Sequence, residues 1–374
     1  MNIPKLPPEL LTLARNISSK CTRCLACQIR CAFLKEHGTP GELAERLLAN
    51  GTGLGRAYEC SLCGLCQATC PLGLALPDFF LAMRRAALKE GRVSLTPYRS
   101  ILNYEAVGAS ALFRLFKLPA GGHTVLFPGC AFPGAHPDTA LALYKHLRAS
   151  DPALGLVLGC CFKPSHDFGR QDFFKKRFGA LREKLLARGV RTVLTACPNC
   201  FKIFDQYGDG LAVRSVVETL TENLPADRPR LRGTAIVHTP CPLRFEKKIQ
   251  EDILGVARAS GLDVEKTRQD GALAPCCGAG GAVTPLRTDY AENWTGEVKM
   301  RAQGRFVLTS CAGCVQTLSR HTRTIHLLDL IFFPQAARRG TLSRPRGLGS
   351  YLHRLLFKWK ALSVPSLPSL RTRG

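Results

Sequence analysis

Short apolar runs recur between residues 121 and 335, and stretches with helical periodicity lie between them. The runs occupy residues 124–127, 154–158, 191–195, 234–238 and 305–309. Amphipathic patterns of helical period occupy residues 140–148, 173–188 and 245–259. Apolar runs of this length that alternate with helices are typical of strands in a parallel sheet. We therefore predict two successive α/β units in this part of the chain.

The N-terminal part shows helical patterns only. Residues 40–49 and 76–91 have helical periodicity, with Pro77 near the start of the second helix and Gly91 at its end. One further helix is predicted at 104–116. The predicted fold class is α+β overall, with an α-helical N-terminal domain followed by two duplicated α/β domains that have parallel sheets. The predicted boundaries are 1–91 for the helical domain, 92–120 for a linker, 121–233 and 234–335 for the two repeats, and 336–374 for a C-terminal tail.

Eight cysteines in the helical domain form two copies of one motif. The copies are Cys21, Cys24, Cys27 and Cys31, then Cys60, Cys63, Cys66 and Cys70. This spacing is that of bacterial two-cluster ferredoxins, in which the fourth cysteine of each run binds the other cluster. By that rule, one four-iron four-sulfur cluster is held by Cys21, Cys24, Cys27 and Cys70, and the other by Cys60, Cys63, Cys66 and Cys31. Zinc is the alternative, but zinc sites use two separated pairs of ligands.

The other ten cysteines form two sets of five in the same order. Each set has a single cysteine, an adjacent pair, and a Cys-x-x-Cys motif. The sets are Cys130, Cys160, Cys161, Cys197 and Cys200, then Cys241, Cys276, Cys277, Cys311 and Cys314. Corresponding members lie 111 to 116 residues apart, which indicates an internal duplication. Because most of these cysteines follow predicted strands, we expect them to converge at the edge where parallel strands end.

The cysteine content also bears on the location of the protein. The chain has 374 residues and 18 cysteines, spaced as metal ligands rather than as a disulfide framework. We expect neither a secretory signal nor a transmembrane helix, because no run of 18 apolar residues occurs. The expected location is cytoplasmic. An additional expectation is peripheral contact with the inner face of the cytoplasmic membrane.

The charge is strongly positive, at +24 from 52 Lys and Arg against 28 Asp and Glu. Such a field favours acidic protein subunits or anionic lipid as partners. Thiolates bound to metal would neutralise part of the excess. Nucleic acid is not expected as a partner, because no basic motif with interleaved aromatic residues accompanies the charge.

The basic excess is greatest in the C-terminal tail. After Asp329 the chain has nine Lys and Arg and no acidic residue. Composition predicts disorder for residues 338–350 and a short basic amphipathic helix for residues 351–362. The predicted apolar face of this helix consists of Leu352, Leu355, Leu356 and Trp359. It would dock on a membrane surface or a partner, remain a solvated tail, or fold back on its own domain.

The paired five-cysteine sets resemble the cysteine-rich CCG domain. That domain occurs in catalytic subunits of heterodisulfide reductases and in iron–sulfur subunits of glycerol-3-phosphate, glycolate and lactate dehydrogenases. A ferredoxin domain ahead of two such repeats is similar to the single-chain membrane-type heterodisulfide reductase subunit. The resemblance covers about residues 20–330 and is more specific for the superfamily than for the substrate.

The resemblance implies a noncubane four-iron four-sulfur cluster in each complete repeat. The first would be held by Cys130, Cys160, Cys161, Cys197 and Cys200, and the second by Cys241, Cys276, Cys277, Cys311 and Cys314. The implied cofactors are thus two cubane clusters and one or two further clusters, while zinc or cubane occupancy of the repeats remains an alternative. In the family the two clusters face a disulfide and cleave it in one-electron steps. Cys161 and Cys277 are therefore the candidate catalytic positions.

Three further features concern the surroundings of these cysteines. Phe162 stands where the family has glycine after the cysteine pair, and we expect it to narrow a substrate cavity. Residues 278–281 contain three glycines that would let the backbone approach a cluster. His238 is expected to be a core histidine with its hydrogen bonds satisfied, and His166 is an equally weak candidate for a proton donor.

The predicted function is that of a redox enzyme subunit. Electrons would enter at the two cubane clusters and reach the repeats, where a disulfide or similar two-electron acceptor is reduced or thiols are oxidised. The alternative is an electron-transfer subunit between a flavin dehydrogenase partner and membrane quinone. The expected partners are a flavoprotein or a membrane cytochrome or quinone subunit, because no dinucleotide motif for flavin or NAD follows a strand in this chain. Anchoring alone would not explain the cysteines.

The iron content tests this interpretation. Anaerobically purified protein should contain about sixteen irons per chain if all four sites hold four-iron clusters. A content of about eight would restrict the clusters to the helical domain and contradict disulfide chemistry in the repeats.

Overall fold

The computed structural model describes residues 6–226 and 230–364. The protein is 55% helical and has two small sheets with mainly parallel pairing. A helical N-terminal region precedes the two α/β regions, which confirms the predicted α+β class. The predicted domain boundaries remain predictions. In the described part of the chain, no helix is both long enough and apolar enough to cross a membrane.

Six helices form the N-terminal region. They are α1 (Pro8–Lys20), α2 (Ala32–His37), α3 (Pro40–Asn50), α4 (Leu65–Thr69), α5 (Leu76–Lys89) and α6 (Arg99–Gly108). The sequence sets the start of α3, because Thr39 and Glu42 form a capping box around Pro40. Gly51 ends this helix in a left-handed conformation. The helices predicted at 40–49 and 76–91 are therefore confirmed.

The first sheet has the strand order β1-β3-β2-β4-β5. Its strands are β1 (Leu115–Lys117), β2 (Thr124–Phe127), β3 (Gly155–Leu158), β4 (Thr192–Thr195) and β5 (Ala212–Ser215). The helices of this region are α7 (Ala131–Ala135), α8 (Pro137–Ser150), α9 (Lys163–Asp167), α10 (Gln171–Leu186), α11 (Pro198–Tyr207) and α12 (Val216–Glu222). All pairings are parallel except that of β1 with β3.

Strand β1 shows that one predicted helix is correct only in its first part. The helix expected at 104–116 ends at Gly108, and Leu115–Lys117 instead pairs antiparallel with β3. Glycine is a weak helix former, and pairing with the sheet satisfies backbone groups of the strand. Part of the predicted linker 92–120 thus completes the first sheet.

The second sheet has the strand order β7-β6-β8-β9. Its strands are β6 (Thr234–Val237), β7 (Asp263–Glu265), β8 (Phe306–Thr309) and β9 (Thr324–His326). The remaining helices are α13 (Lys247–Ala259), α14 (Thr288–Ala302), α15 (Ala312–Leu318), α16 (Leu327–Phe332), α17 (Pro334–Arg339) and α18 (Leu348–Leu362). This order matches the β3-β2-β4-β5 part of the first sheet, as expected of a duplication. Helices α12 and α13 pack together, as do α8 and α16, and one apolar core spans both repeats.

The C-terminal tail differs from the prediction. Residues 338–350, for which disorder is predicted, include the end of α17 and the start of α18. Helix α18 packs on α7 and α8 of the first repeat through Arg354, Phe357 and Ala361, which are buried. Folding back satisfies Arg354, which donates a hydrogen bond to the Gly108 carbonyl. The predicted end of the tail, 365–374, lies outside the described residues.

A fully buried arginine joins the helical region to both repeats. The Arg84 guanidinium donates hydrogen bonds to the carbonyl oxygens of Cys60 (2.6 Å), Asp167 (2.8 Å) and Gly281 (3.1 Å). It donates two more, to Ala57 and Tyr58. These acceptors belong to the helical domain, the first repeat and the second repeat. A buried charge of this kind is tolerated only when its donors are satisfied, so Arg84 fixes the relative positions of all three parts.

The glycines of residues 278–281 allow the second repeat to pack closely against the loop that carries Cys60. A Cβ atom at Gly280 would lie 2.7 Å from the Ser61 carbonyl oxygen, and one at Gly281 would lie 2.7 Å from the Cys60 carbonyl oxygen. Gly281 also has a left-handed φ of 57°. The sequence predicts that this backbone approaches a cluster, and the structure packs it against the loop that carries Cys60.

The role of Arg84 can be measured by comparison with the next residue. Arg84→Met should lower the free energy of unfolding by about 3 kcal/mol or more, since five carbonyl groups lose a charged donor. Arg85→Met is the matched control: its guanidinium pairs with the exposed Glu9, so we expect a loss under about 1 kcal/mol. Anaerobic urea denaturation of both variants measures the difference. Equal losses would mean that Arg84 does not join the domains.

Candidate iron–sulfur sites

The structure groups the eight N-terminal cysteines in the two predicted sets of four. Cys21, Cys24, Cys27 and Cys70 line one small cavity. Cys31, Cys60, Cys63 and Cys66 line another. The donor chemistry of each set, four thiols around one space, fits a four-iron cluster. The first set lies at the surface, where Cys24 is exposed, whereas Cys60 and Cys66 of the second set are buried.

Left-handed residues between the cysteines bend these loops around each space. Arg23, Leu25 and Leu62 have φ values of 54°, 63° and 52°. In the second loop this bend lets the Leu62 N–H donate a hydrogen bond to the Cys60 sulfur at 3.4 Å. Backbone N–H groups that point at ligand sulfurs are a means by which proteins tune cluster potentials.

The two five-cysteine sets meet at one cavity of about 280 Å³ between the repeats. Nine of their ten cysteines line it: Cys130, Cys160, Cys161, Cys197, Cys200, Cys241, Cys277, Cys311 and Cys314. Cys197 and Cys311 immediately precede helices α11 and α15, just beyond the ends of β4 and β8. The cysteines therefore converge at the carboxyl ends of parallel strands, as the topology requires. Five thiols from the first set and four from the second fit an iron–sulfur centre in each repeat.

Cys161 and Cys277 occupy equivalent positions in the two sets. Hydrogen bonds from the Cys160 and Cys200 thiols lower the pKa of Cys161, and those from Cys276 and Cys314 lower the pKa of Cys277. The Cys314 sulfur lies 3.2 Å from the Cys277 sulfur. Because thiolates are the form that binds metal, the neighbouring thiols favour the metal-binding form of these two cysteines.

Cys276 contacts Cys277 but lines a different cavity from the other members of its set. Its side chain lines the second N-terminal cavity and contacts the thiol of Cys63. Contact with Cys276, then burial, raises the pKa of Cys63 well above its ordinary value. A predicted ligand of the second cubane cluster thus touches a predicted ligand of the second repeat. Sequence spacing gives no signal for this contact, because the two residues lie in different domains.

A second buried arginine maintains this contact. Arg244, in the second repeat, donates a hydrogen bond from Nε to the Cys63 carbonyl oxygen at 2.8 Å. Its Nη2 donates to the Ala274 carbonyl oxygen at 2.9 Å, two residues before Cys276. The same guanidinium therefore fixes the backbone on both sides of the contact between Cys63 and Cys276.

Polar side chains that the sequence analysis missed also line the shared cavity. They include Lys163, Asp167, Asn199 and Lys202. Lys163 forms an ion pair with Asp167, and burial lowers the pKa of Lys202. The sequence feature that could identify Lys163 and Lys202 as cavity residues is their position, since each lies two residues after a cysteine of the first five-cysteine set. The cavity is therefore a thiol-rich space that also holds two ammonium groups.

Phe162 does not narrow this cavity, which corrects the expectation from sequence. It adopts the left-handed conformation that Gly278 has in the second repeat, with φ values of 58° and 80°. Its side chain is buried in the core of the first repeat, against the ring of Phe173 and the guanidinium of Arg177. Burial of the ring compensates for the strained backbone.

The two candidate histidines have different surroundings. His166 contacts Asp167 through Nδ1 and the Tyr207 hydroxyl through Nε2, and it is not among the residues that line the cavity. His238 is also buried, but its Nδ1 has no hydrogen-bond partner among the described residues. The expectation that His238 is a satisfied core histidine is therefore wrong.

Comparisons with known proteins agree with this arrangement. Residues 17–74 match the family described as 4Fe-4S dicluster domain, and residues 235–319 match the cysteine-rich domain named CCG. No curated protein sequence matches the chain. The solved structures that are similar to it include an aspartate racemase homologue from Pyrococcus horikoshii, with 11% identity over 59% of this chain and 99% of that chain. Its TM-score of 0.24 is too low to support an inference.

The two family matches indicate the chemistry of the protein. Together they support an iron–sulfur electron-transfer role. The chain joins a 4Fe-4S dicluster domain to a cysteine-rich CCG domain, as expected of an iron–sulfur protein similar to the heterodisulfide reductases.

Proposed function

We propose that this chain is the iron–sulfur subunit of a redox enzyme that reduces a disulfide, or a similar two-electron acceptor, in the cavity between its repeats. The observation that carries the proposal is that cysteines from both five-cysteine sets line one cavity. Two centres that only carried electrons would not need to share a cavity. A shared space instead suits a substrate that takes one electron from each side.

The burial of the N-terminal sites gives the proposed direction of entry. The site with the exposed Cys24 is flanked by the exposed apolar side chains of Leu25 and Leu72. A partner that docks there would deliver electrons to the surface site first. The next site touches the second repeat through Cys63 and Cys276. The proposed order is surface cluster, buried cluster, second repeat and shared cavity.

The cavity supplies groups for the chemistry of the substrate. When bound, iron–sulfur clusters supply single electrons. Breaking one S–S bond with two electrons and two protons gives two thiols, and the intermediate product is a thiolate. The ammonium groups of Lys163 and Lys202, which line the cavity, would stabilise that negative charge. The same groups would orient an anionic substrate.

A second candidate function is electron transfer alone, between a flavin dehydrogenase partner and membrane quinone. The exposed face of α18 favours it, because such a subunit must lie near a membrane. In that case the cavity would only separate two electron-transfer centres, and no substrate would bind in it. The two candidates differ in whether a thiol or disulfide binds inside the cavity.

Electron paramagnetic resonance tests this difference. Oxidation with a thiol substrate present should produce a new signal from a sulfur-bound centre, and Cys277→Ser should abolish it, since serine removes a predicted sulfur ligand that lines the shared cavity. The cubane signals should remain in that variant. The matched control is Cys24→Ser, which should disturb the first cubane and leave the thiol-dependent signal. An unchanged signal in Cys277→Ser would contradict the proposed role of the second repeat.

We also propose that α18 rests on an anionic membrane surface. Its outer face presents an exposed apolar stripe: Leu348, Leu352, Leu356, Trp359 and Leu362. Leu355, predicted as part of this face, is half-buried instead. Lys358 and Lys360 lie beside the stripe, and no acidic residue follows Asp329. An apolar stripe with a terminal tryptophan and flanking lysines is typical of helices that lie in the plane of an anionic interface.

Vesicle sedimentation tests the membrane contact. The full chain should bind vesicles that contain phosphatidylglycerol, and the double variant Leu352→Ser with Trp359→Ser should bind at least about tenfold more weakly, because each change removes apolar area from the interface. Met300→Ser changes an equally exposed apolar residue on the second repeat and is the control. Equal binding by both variants, or capture only by an acidic protein, would contradict a lipid surface as the occupant.

A further inference from the structure

We infer that His238 bonds the iron–sulfur centre of the second repeat, as a sixth protein contact beyond the five cysteines. A ring nitrogen of His238 and the sulfurs of Cys277 and Cys314 all lie within 4.8 Å of one another. Imidazole nitrogen is a known donor to iron in Fe–S proteins, and an imidazole N–H can donate to cluster sulfur. The inference rests on the proposed function only in that the second repeat must hold iron.

The burial of His238 is the first independent support. The side chain is 1% exposed, and its Nδ1 lacks a hydrogen-bond partner within the described residues. An unsatisfied polar group in a protein interior is destabilising, because it has lost its hydrogen bonds to water. Such a group needs an acceptor or a metal, and the space beside Cys277 and Cys314 is where the centre would supply one.

The backbone holds the imidazole in this place. His238 directly follows β6, and its N–H donates to the Leu308 carbonyl oxygen of β8 at 2.7 Å. Cys311 and Cys314 lie just after the same strand β8. The residue is therefore fixed by the two central strands of the sheet rather than by a loop.

The position of the ring separates this role from substrate binding. His238 is not among the residues that line the shared cavity, whereas Cys277 and Cys314 are. The imidazole is therefore close to these two cysteines without lining the cavity itself. A contact there acts on the centre and leaves the substrate face open.

The duplication supplies an internal comparison. His238 precedes Cys241 by three residues, and the residue at the same place before Cys130 is Phe127. The Phe127 ring is fully buried and packs against Phe204, with 5.0 Å between ring centres. The first repeat therefore has an apolar ring where the second has a nitrogen donor. The two centres should differ electronically although their cysteines are equivalent.

The difference has a direction. A hydrogen bond from the imidazole N–H stabilises the more negative, reduced state of a cluster relative to an apolar environment, and so raises its reduction potential. The second repeat, which touches the buried cubane through Cys276, is thus the better first acceptor of the incoming electron. His238 is a positioning and tuning residue rather than a catalytic one.

Nitrogen-15 labelling tests the inference. The full-length protein is labelled with 15N-histidine during expression and purified anaerobically. Pulsed electron paramagnetic resonance should then detect a 15N coupling to the iron–sulfur centre of the second repeat. His238→Phe, which copies the first repeat, should lose the coupling and lower the potential of that centre while retaining its iron. A strong coupling indicates direct ligation and a weak one a hydrogen bond, and both support the contact.

Two controls keep the result decisive. His166→Phe removes a buried histidine whose nitrogens are both partnered, and the coupling should persist. His238→Gln keeps a polar donor if the phenylalanine variant does not fold, and it should lose the 15N-histidine coupling with iron retained. A coupling that survives either His238 substitution, or is absent from wild-type protein with a full second centre, overturns the inference. Wild-type repeats without iron would instead overturn the proposed function.

Discussion

The architecture depends on the burial of two arginines whose guanidinium groups are satisfied mainly by backbone carbonyls. Arg84 joins the loop that carries Cys60 to both repeats, and Arg244 joins Cys63 to the segment before Cys276. A guanidinium has five N–H donors in a rigid plane, so it can fix several chain segments at once. Because both arginines converge on the Cys60–Cys63 loop, the second N-terminal site has one allowed position against the second repeat. The contact between Cys63 and Cys276 follows from that constraint.

The duplication has kept its sheet and changed the side chains around its cysteines. The order β3-β2-β4-β5 recurs as β7-β6-β8-β9, and the sulfurs meet at the same edge in both copies. The copies differ at the residue that follows the cysteine pair and at the residue three places before the first cysteine. Phe162 fills the core of the first repeat, whereas Gly278 and its neighbours let the second repeat approach the N-terminal domain. Similar scaffolds thus carry two unequal sites.

Local patterns were sufficient to predict most elements and the grouping of the N-terminal cysteines. Apolar runs predict β2, β3, β4, β6 and β8, because a short strand that is buried on both faces consists of consecutive apolar residues. The segment 104–116 was misassigned since the pairing of Leu115–Lys117 with β3 is a long-range contact. The same limit applies to Phe162, whose direction depends on the left-handed backbone, and to the Cys63–Cys276 contact. Composition also leaves open whether α18 folds back, because Arg354 is buried by partners distant in sequence.

Rapid freeze-quench electron paramagnetic resonance of the anaerobic chain, mixed with a one-electron reductant, tests the central claim most directly. Signals of the two repeats can be assigned with Cys130→Ser and Cys241→Ser. We expect the N-terminal clusters to be reduced first, the second repeat next and the first repeat last, followed by reoxidation of both repeats when a disulfide is added. Reduction of the first repeat before the second would contradict this order. Reduction of either repeat while the N-terminal clusters remain oxidised would contradict it as well.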